Sequence, residues 1–430
     1  MKIVEYSPEL LPKLSALADT AFDPEIERHV KTIIQDVRKR GDAAVIEYTS
    51  RFDSVDIASI ERVSQSEMHD LHARVDADFL LALREAIKNV RRFHAEQVRE
   101  SYWIEGGNGV KLGMRYTPLS SVGLYVPGGA AAYPSTIVMN AVPAQVAGVE
   151  RIVAVTPPAR FRENPHVAAA FVELGLEEIY TVGGAQAVAA LAYGTESIQR
   201  VDKIVGPGNM YVAVAKKLVY GVVDIDMIAG PSEIVVVADE TANPAYAAAD
   251  LLSQAEHGSG MEKVMLLTTS QDFALAVNDE LKRQVEELSR SACIKEVLDR
   301  NEIIIVRNLD EAADAVNAIA PEHLELMVEK PYDLLEKIKN AGAVFLGEYS
   351  PEPVSDYFAG PNHVLPTSGA ARYASPLGVY DFQKCMNVVE YTREAILKNG
   401  GKIDRLARAE GFDAHARAVT IRMKDEIKKI

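Results

Sequence analysis

Cysteine is scarce in this chain: Cys293 and Cys385 are the two in a sequence of 430 residues. Two cysteines cannot build a disulfide framework and are too few for a cysteine-based zinc site, so any metal must take nitrogen and oxygen ligands. Long apolar runs are also lacking, since no stretch approaches the roughly 20 residues that span a bilayer. The first residues, 1–6, have no secretory signal pattern, and we expect a cytoplasmic protein.

Clusters of lysine and arginine are absent as well, and the formal net charge is −16. This charge pattern disfavours nucleic acid and anionic membranes as partners. Hydrophobic residues make up 48% of the chain and charged residues 25%, and 430 residues are enough for two or three domains with their own cores. The composition therefore predicts a globular protein without nucleic-acid or membrane partners.

Short apolar strands alternate with helical segments through the middle of the chain. The expected strands are 122–126, 151–155, 178–182, 203–205, 234–237, 264–267, 302–306 and 343–346. The expected helices between them are 135–147, 166–174, 185–193, 209–219, 244–256, 271–288 and 310–319. Several strands are apolar throughout, as is typical of parallel strands covered by helices on both faces. The alternation predicts an α/β fold built from βα units.

Helical segments flank this central region. Asp23 and Pro24 suit a cap and first turn before a helix at 25–40, and apolar residues at helical spacing predict a second helix at 78–99. From about 377 the chain is highly charged, with short helices expected near 392–399, 403–409 and 413–422. This tail is too small to form a domain alone, and we expect it to pack on another body such as a partner subunit.

We therefore predict two Rossmann-like, three-layer α/β domains with small helical N- and C-terminal extensions. The predicted division is an N-terminal extension 1–22, a first domain 23–124 plus 234–376, a second domain 125–233 with dinucleotide-binding loops, and a tail 377–430. The Rossmann pattern is incomplete because the G-x-G-x-x-G fingerprint is absent.

Three glycine-containing loops, at 125–129, 182–186 and 205–209, each end an expected strand and lead into a helix. Ligands bind at such places in open α/β sheets, and exposed helix N-termini attract phosphate. Each loop alone is as often simple turn chemistry, but three together favour a bound dinucleotide. Gln186 and Asn209 are candidates to hydrogen-bond a ribose or an amide, and Tyr125 is a candidate to stack.

Gln254 and His257 are three residues apart near a helix end, so they share one face and are candidate metal ligands. A histidine that simply favours the helix C-terminal dipole is the commoner explanation for a lone pair of this kind. Asp356 and His415 supply further ligand types, although their sequence separation leaves proximity open. Nitrogen and oxygen donors of this set suit zinc, with manganese or cobalt as substitutes.

Glu322 and His323 are the best candidates for acid–base work, because an adjacent carboxylate and imidazole after a helix end can carry separate protons. A surface Glu-His pair is the alternative. His363 lies in a turn-rich loop, where a turn histidine is the alternative, and Glu410 is either a helix-terminal carboxylate or a binder of a substrate ammonium. The remaining histidines are expected to be solvated and without catalytic duty: His29, His69, His72, His94 and His166.

These segments, in this order, resemble the histidinol dehydrogenase family over nearly the whole chain. The most specific motifs are 125–129, 182–187, 203–209, 229–233, 253–257, 320–325, 359–367 and 413–416. The resemblance implies one zinc ion per subunit, held by Gln254, His257, Asp356 and His415, and NAD near Tyr125, Gln186 and Asn209. It implies substrate contacts from Ser232, Gln254, His257, His323, Asp356, His363, Glu410 and His415. It also implies a homodimer with shared active sites, in which the tail carries Glu410 and His415 to the partner.

The implied activity is the last step of histidine biosynthesis, a four-electron oxidation of L-histidinol to L-histidine through the aldehyde with two NAD molecules. In the family's scheme zinc anchors the imidazole and amino nitrogens of the substrate. His323 then accepts the alcohol proton, and Glu322 activates the water that attacks the aldehyde.

Two alternatives remain open at the level of sequence. One is a paralogue on the same scaffold that oxidises another small alcohol, such as a sulfonated diol. Retention of His363 and Glu410, which histidinol would need, favours histidinol. The other alternative is a non-catalytic binding protein, which would require gaps in the candidate zinc-ligand or acid–base sets, and these sets are complete.

Overall fold

The computed structural model describes residues 1–7, 9–10, 23–128, 133–257 and 260–424. The chain forms two compact units. Unit 1 comprises Met1–Gln97 and Leu119–Asp381, and unit 2 comprises Val98–Pro118 and Phe382–Ile430. Gly129, which belongs to the first glycine loop, and most of the expected extension 1–22 lie outside the described residues.

Unit 1 contains two parallel sheets and the helices that cover them. Its strands are β1 (Lys2–Glu5), β4 (Ser121–Tyr125), β5 (Arg151–Val155), β6 (Glu178–Tyr180), β7 (Lys203–Val205), β8 (Asp224–Ile225), β9 (Glu233–Ala238), β10 (Lys263–Thr268), β11 (Glu302–Ile305), β12 (His323–Met327) and β13 (Ala343–Leu346). Strands β2 (Tyr102–Glu105), β3 (Lys111–Pro118) and β14 (Gln383–Glu390) belong to unit 2.

The helices of unit 1 precede, connect or follow these strands. They are α1 (Pro24–Arg40), α2 (Asp42–Asp53), α3 (Gln65–His72), α4 (Ala77–Ala95), α5 (Pro134–Ala147), α6 (Pro158–Glu163), α7 (Pro165–Glu173), α8 (Gly184–Tyr193), α9 (Met210–Val219), α10 (Pro244–Ala255), α11 (Gln271–Val285), α12 (Ser291–Arg300), α13 (Leu309–Ile319), α14 (Pro331–Leu335) and α15 (Glu352–Val354). The predicted α/β class is thus confirmed, and the predicted βα elements match within a few residues at each end.

The five-stranded sheet has the order β6-β5-β4-β7-β8, and its pairs are parallel. In order of appearance along the chain this is 3-2-1-4-5, so the direction of winding reverses between β4 and β7. Ligands of open α/β sheets bind outside the carboxyl ends of the strands at such a reversal. Tyr125, at the end of β4, and the loop 206–209 after β7 lie at that point.

The six-stranded sheet has the order β1-β11-β10-β9-β12-β13, and its pairs are also parallel. Alternate residues of β9 point to opposite faces, so Ile234 and Val236 join one buried cluster while Val235 and Val237 join another. Both clusters contain residues of the neighbouring helices, for example Leu251 on the first face. The sheet is therefore the middle of three layers, as predicted.

The helices before the first sheet pack differently from the predicted domain division. Val30, Ile33 and Val37 of α1 lie in the same buried cluster as Val153 and Ile204 of the five-stranded sheet. The strand β4 also belongs to that sheet, so the predicted boundary between 124 and 125 falls inside a strand. The physical reason is that an apolar stripe on a helix shows that the helix is buried but not which sheet it covers. At the N-terminus, β1 pairs with β11 instead of forming part of a helical extension.

Unit 2 is built from an antiparallel sheet and two helices. Its sheet order is β14-β3-β2, and α16 (Arg393–Ala409) and α17 (Asp413–Met423) follow β14. The sequence predicted two short helices, near 392–399 and 403–409, where the single helix α16 is found; Gly400 and Gly401 lie between the two predicted ranges. A Cβ at Gly400 would lie 2.5 Å from Sδ of Met423, so glycine there permits close packing of α16 on α17.

Within the described ranges, no helix combines the length and the hydrophobicity needed to cross a bilayer.

Candidate active site and its two cavities

A first cavity of about 700 Å³ lies at the point where the winding of the five-stranded sheet reverses. Tyr125, Gln186 and Asn209, the three residues expected near a dinucleotide, all line it. Asp53, from the end of α2, lines the same cavity and carried no signal in the sequence. Its contribution depends on the packing of α2 against the five-stranded sheet, which sequence spacing did not reveal.

Polar atoms in the wall of the first cavity are held in place by the backbone. The hydroxyl of Tyr125 accepts a hydrogen bond of 3.0 Å from the N–H of Gly184, and burial raises the pKa of Tyr125 to about 12. The side chain of Asn209 caps α9 by accepting from the N–H of Val212 at 3.1 Å. Gln186 is fully buried, and its Oε1 has no hydrogen-bond partner among the described residues.

A second cavity of about 410 Å³ adjoins the first, since Pro127 and Asn209 line both. It is lined on one side by the loop 206–209, which follows β7. On the other side it is lined by Ser232, Glu322 and His323, at the amino ends of β9 and β12. A ligand in the first cavity therefore has direct access to groups in the second.

The backbone of Glu233 holds both candidate acid–base residues. Its N–H donates to Oε2 of Glu322 at 2.9 Å, and its carbonyl oxygen accepts from Nδ1 of His323 at 3.0 Å. Both side chains are buried, with residue exposures of 7% for Glu322 and 3% for His323. The two residues follow the end of α13 as expected, but His323 begins strand β12 and is not part of a helix end.

The hydrogen bond to Glu233 fixes the tautomer of His323. A carbonyl oxygen can only accept, so Nδ1 carries the proton and Nε2 keeps its lone pair. Nε2 is buried and has no hydrogen-bond partner among the described residues. Burial also lowers the pKa of His323, which favours the neutral ring.

Burial has the opposite effect on the neighbouring carboxyl groups, because it disfavours their charged forms. It raises the pKa of Glu322 well above its ordinary value. It also raises the pKa of Glu352 to about 7 and that of Asp356 to about 7. The site thus contains several carboxyl groups whose proton affinity is increased beside a histidine whose proton affinity is reduced.

Three of these groups form a candidate metal centre. In the described part of the chain, potential donor atoms of His323, Glu352 and Asp356 all lie within 4.8 Å of one another. Nε2 of His323 is 3.9 Å from Oε1 of Glu352 and 3.9 Å from Oδ1 of Asp356. Glu352 carries no signal in the sequence, because it lies in a short Pro-Glu-Pro segment without a recognisable ligand spacing.

The other expected ligands of unit 1 occupy the same region. His257 lines the second cavity, and its Nδ1 lies 3.1 Å from the carbonyl oxygen of Gln254 and 3.2 Å from Nε2 of the same residue. In the tautomer in which Nδ1 of His257 donates to the carbonyl oxygen, its own Nε2 is left for another partner. Gln254 is fully buried. His363 also lines the second cavity; its Nδ1 donates to the carbonyl oxygen of Asp356 at 3.1 Å, and burial lowers its pKa to about 4.

Glu410 and His415 belong to unit 2 and are exposed there. Glu410 follows the last residue of α16, and His415 lies in the first turn of α17, with its ring 5.1 Å from that of Phe412. Their expected roles in zinc and substrate binding remain predictions.

One histidine outside the site contradicts the sequence analysis. His94 was expected to be solvated, yet it is fully buried, and its Nδ1 donates to the carbonyl oxygen of Val90 at 2.8 Å. Its helix, α4, lies between other elements of unit 1, and the charged residues around His94 in the sequence point away from its buried face. The helical spacing of apolar residues shows which face of a helix packs on the protein, but it does not show how completely other elements bury that face.

Comparisons with known proteins agree over nearly the whole chain. A family model described as histidinol dehydrogenase matches residues 18–423. A histidinol dehydrogenase of Listeria monocytogenes is 51% identical over 419 residues, which cover 97% of this chain and 98% of the relative. One of Geobacillus kaustophilus is 54% identical over 402 residues, covering 93% and 94%. The crystal structure of histidinol dehydrogenase from Elizabethkingia anophelis superposes with a TM-score of 0.93 at 36% identity and covers 98% of both chains. The chain belongs to the histidinol dehydrogenase family.

Proposed function

We propose that this chain oxidises L-histidinol to L-histidine in two successive steps, with zinc and NAD as its cofactors. Family membership makes it an oxidoreductase. The observation that carries the finer proposal is the state of His323. A backbone carbonyl fixes its Nδ1, and its buried Nε2 has no hydrogen-bond partner among the described residues and borders the second cavity, which adjoins the larger first cavity. A positioned neutral imidazole of this kind suits a general base.

The donor set in the second cavity fits a zinc ion. Oε1 of Gln254 and Oδ1 of Asp356 are buried and lack hydrogen-bond partners among the described residues, and the hydrogen bond of His257 leaves its Nε2 lone pair available. Buried oxygens without donors are expected where a cation completes the site. We propose that these three residues hold the zinc ion together with His415, and that Glu352 and His323, whose donor atoms also lie near Asp356, are not ligands, which leaves Nε2 of His323 free to act as the base.

The first cavity fits a dinucleotide. Its volume of about 700 Å³ lies within the usual range of cofactor pockets. Two buried acceptors in its wall, Oδ2 of Asp53 and Oε1 of Gln186, have no partner among the described residues, so a ligand there should bring donors such as ribose hydroxyls or an amide. The shared lining at Pro127 and Asn209 would bring the nicotinamide end close to a substrate in the second cavity.

In the first oxidation His323 is the base. When bound, zinc would supply coordination for the imidazole and amino nitrogens of histidinol, and NAD would supply a two-electron hydride acceptor. Nε2 of His323 takes the hydroxyl proton as the carbinol C–H bond breaks, and the alcohol becomes the aldehyde. His323 must release this proton before the second oxidation.

In the second oxidation Glu322 adds a water molecule to the aldehyde. Its carboxyl group is held by the N–H of Glu233 and has a raised pKa, so it takes up a proton from water readily once ionised. The hydrated aldehyde then gives its hydroxyl proton to His323 as the second hydride leaves. One alcohol and one water thus yield one carboxylate, two hydrides and three protons.

We propose further that the protein is a homodimer in which Glu410 and His415 complete the partner's site. Both residues are exposed in unit 2. Unit 2 also exposes several large apolar side chains, as surfaces that bind a second chain commonly do. They include Trp103 (56% exposed), Ile104 (57%), Val389 (66%), Leu406 (68%) and Phe412 (51%).

The test is to count NADH formed per L-histidinol with purified, zinc-loaded protein, before and after chelation. We expect two NADH per histidinol, loss of activity with chelator and recovery on addition of zinc. A folded protein that binds zinc and NAD but does not turn over histidinol would overturn the assignment, and small sulfonated diols would then be the first alternative substrates to test.

A further inference from the structure

The loop 206–209 borders the second cavity and approaches the neighbouring strand closely. Gly206 has φ +113°, and a Cβ there would lie 2.2 Å from the carbonyl oxygen of Tyr125. Residues 206–209 line the second cavity, and Asn209 lines the first as well. A shift of this loop would therefore move the wall common to both cavities.

A buried ion pair hydrogen-bonds to the peptide groups on both sides of Gly206. Nζ of Lys216 donates to the carbonyl oxygen of Gly206 at 2.8 Å, and the N–H of Gly206 donates to Oδ2 of Asp226 at 2.8 Å. Lys216 and Asp226 also pair directly with each other. Oδ1 of Asp226 accepts a further hydrogen bond, of 2.6 Å, from the N–H of Met227.

The pair joins three elements that meet at the loop. Lys216 projects from α9, Asp226 follows β8, and Gly206 follows β7. The side chains of Lys216 and Asp226 are only 4% and 1% exposed. Both side chains border the second cavity but are almost fully buried, and their hydrogen bonds go to the backbone of Gly206 and Met227 and to each other. They therefore act on a ligand mainly through the backbone of the loop.

We propose that Lys216 and Asp226 are positioning residues that fix the loop 206–209 and so set the place of the dinucleotide relative to the substrate. The proposal rests on the function proposed above. Its physical basis is that a reacting pair displaced by about 1 Å can lose about a hundredfold in rate. Removing either charge leaves a buried partner without its counter-ion and frees one side of the Gly206 peptide.

The chain offers a matched control in Lys203, which lies at the opposite end of β7. Its side chain is 5% exposed and forms an ion pair of 2.9 Å with Asp224. Lys203 lines neither of the two cavities. Lys203→Met therefore removes a buried ammonium from the same strand region without freeing the loop.

The experiment compares Lys216→Met with Lys203→Met by steady-state kinetics, and by titration calorimetry with NAD alone. For Lys216→Met we expect the Kd and the KM for NAD to rise about tenfold and kcat to fall at least about tenfold, while the KM for histidinol changes less than about twofold. Lys203→Met should keep all of these values within about twofold of wild type. Asp226→Asn, which preserves shape, should change them in the same direction as Lys216→Met and serves if that variant does not fold.

A purely structural role would give a different result. The two lysine variants would then lose thermal stability alike, and the Kd for NAD would stay at the wild-type value in both. That outcome overturns the positioning role. Failure of the proposed function would be visible separately, because the wild-type protein itself would then form no NADH from histidinol.

Discussion

At the scale of single residues, the backbone of Glu233 determines the geometry of the acid–base pair. Its N–H and carbonyl groups lie at a fixed separation, so the carboxyl group of Glu322 and the ring of His323 are held relative to each other without any flexible side chain between them. Substitution of the side chain at 233 would leave both hydrogen bonds available. The arrangement pre-organises two proton carriers that the proposed reaction uses in turn.

Glu322→Gln should separate the two oxidations. Glutamine keeps an oxygen to accept from the N–H of Glu233, so the position of the side chain is retained while its ability to take a proton is lost. We expect the first oxidation to stay within a few-fold of wild type and the second to slow by about a hundred- to ten-thousandfold. The measurement is NADH per histidinol together with chemical trapping of the aldehyde.

The expected count is one NADH per histidinol in the single-turnover phase, with trapped aldehyde. Supplying the aldehyde directly to the variant is the control, and it should produce almost no acid. Two NADH per histidinol at the wild-type rate would contradict the assigned role of Glu322.

Individual site residues differ in how far the sequence reveals them. Glu322 and His323 are adjacent in the chain, so any fold keeps them together, and Gln254 and His257 share a helix face. Asp53 and Glu352 have no such local signal, since long-range packing alone brings Asp53 to the first cavity and Glu352 to the side chains of His323 and Asp356. The burial of His94 was missed for the same reason.

At the scale of elements, strand β12 brings a second carboxyl group to the face that carries His323. Glu325 is two residues further along the strand and is 1% exposed. It shares a hydrogen bond with Asp250 of α10, and its Oε1 accepts from the N–H of Glu352 at 2.9 Å. Two buried carboxyl groups in contact are stable only when they share a proton, so this contact between α10 and β12 depends on pH.

Asp250→Asn should stabilise the protein at alkaline pH. Burial raises the pKa of Asp250 to about 6 from 3.8, so its contribution to stability is fully present below pH 3.8 and is lost as the pH rises through about 6. The uncharged amide avoids that loss and can still donate to Glu325. We expect a gain on the order of 1 to 3 kcal/mol at pH 8 that disappears near pH 4, measured by urea unfolding.

Glu173→Gln is the matched variant, for which we expect the opposite pH dependence of stability. Hydrogen bonds from Arg84 of α4 and then from His72 of α3 lower the pKa of Glu173 in α7. Its stabilising contribution is therefore present above its unfolded pKa and is lost as the pH falls through the folded value. The variant should unfold at a lower urea concentration at pH 7 and approach wild type in acid. If both variants changed stability in the same direction at pH 8, the opposite pKa shifts of Asp250 and Glu173 would be wrong.

Some elements could be predicted from local sequence, and others could not. Strands such as β9 and β10 are almost entirely apolar and lie between segments with helical periodicity, so the sequence predicts both their type and their extent. The antiparallel sheet of unit 2 was missed, because β2 and β14 are exposed along most of their length and lack the apolar run of a buried strand. The pairing of β14 with β3 joins residues 265 to 279 positions apart, from Gln383 with Pro118 to Glu390 with Lys111, and follows from no local rule.

At the scale of the whole molecule, the two sheets of unit 1 repeat one strand order. Without the edge strand β1, the six-stranded sheet reads β11-β10-β9-β12-β13, the same 3-2-1-4-5 order as in the five-stranded sheet. The sites use opposite ends, since the cavity residues follow the carboxyl ends of β4 and β7 but lie at the amino ends of β9 and β12. One sheet of unit 1 thus contributes the residues proposed to bind the dinucleotide, and the other sheet contributes the acid–base residues.

In the proposed dimer, one chain alone does not contain a complete site. The proposed dimer takes Glu322 from one subunit and His415 from the other. A heterodimer of one Glu322→Gln chain and one His415→Asn chain would then contain one site with both substitutions and one with neither. Each homodimeric variant should be unable to make histidine, while the heterodimer should regain about half of the wild-type kcat per dimer.

Co-expression with two different affinity tags and sequential purification isolates the heterodimer for this measurement. A mixture of the two separately purified variants, assayed before any exchange of subunits, is the control and should stay inactive. If His415 instead served the site of its own chain, both sites of the heterodimer would carry one substitution each and no activity would return. A protein that sediments as a monomer while fully active would contradict the shared site directly.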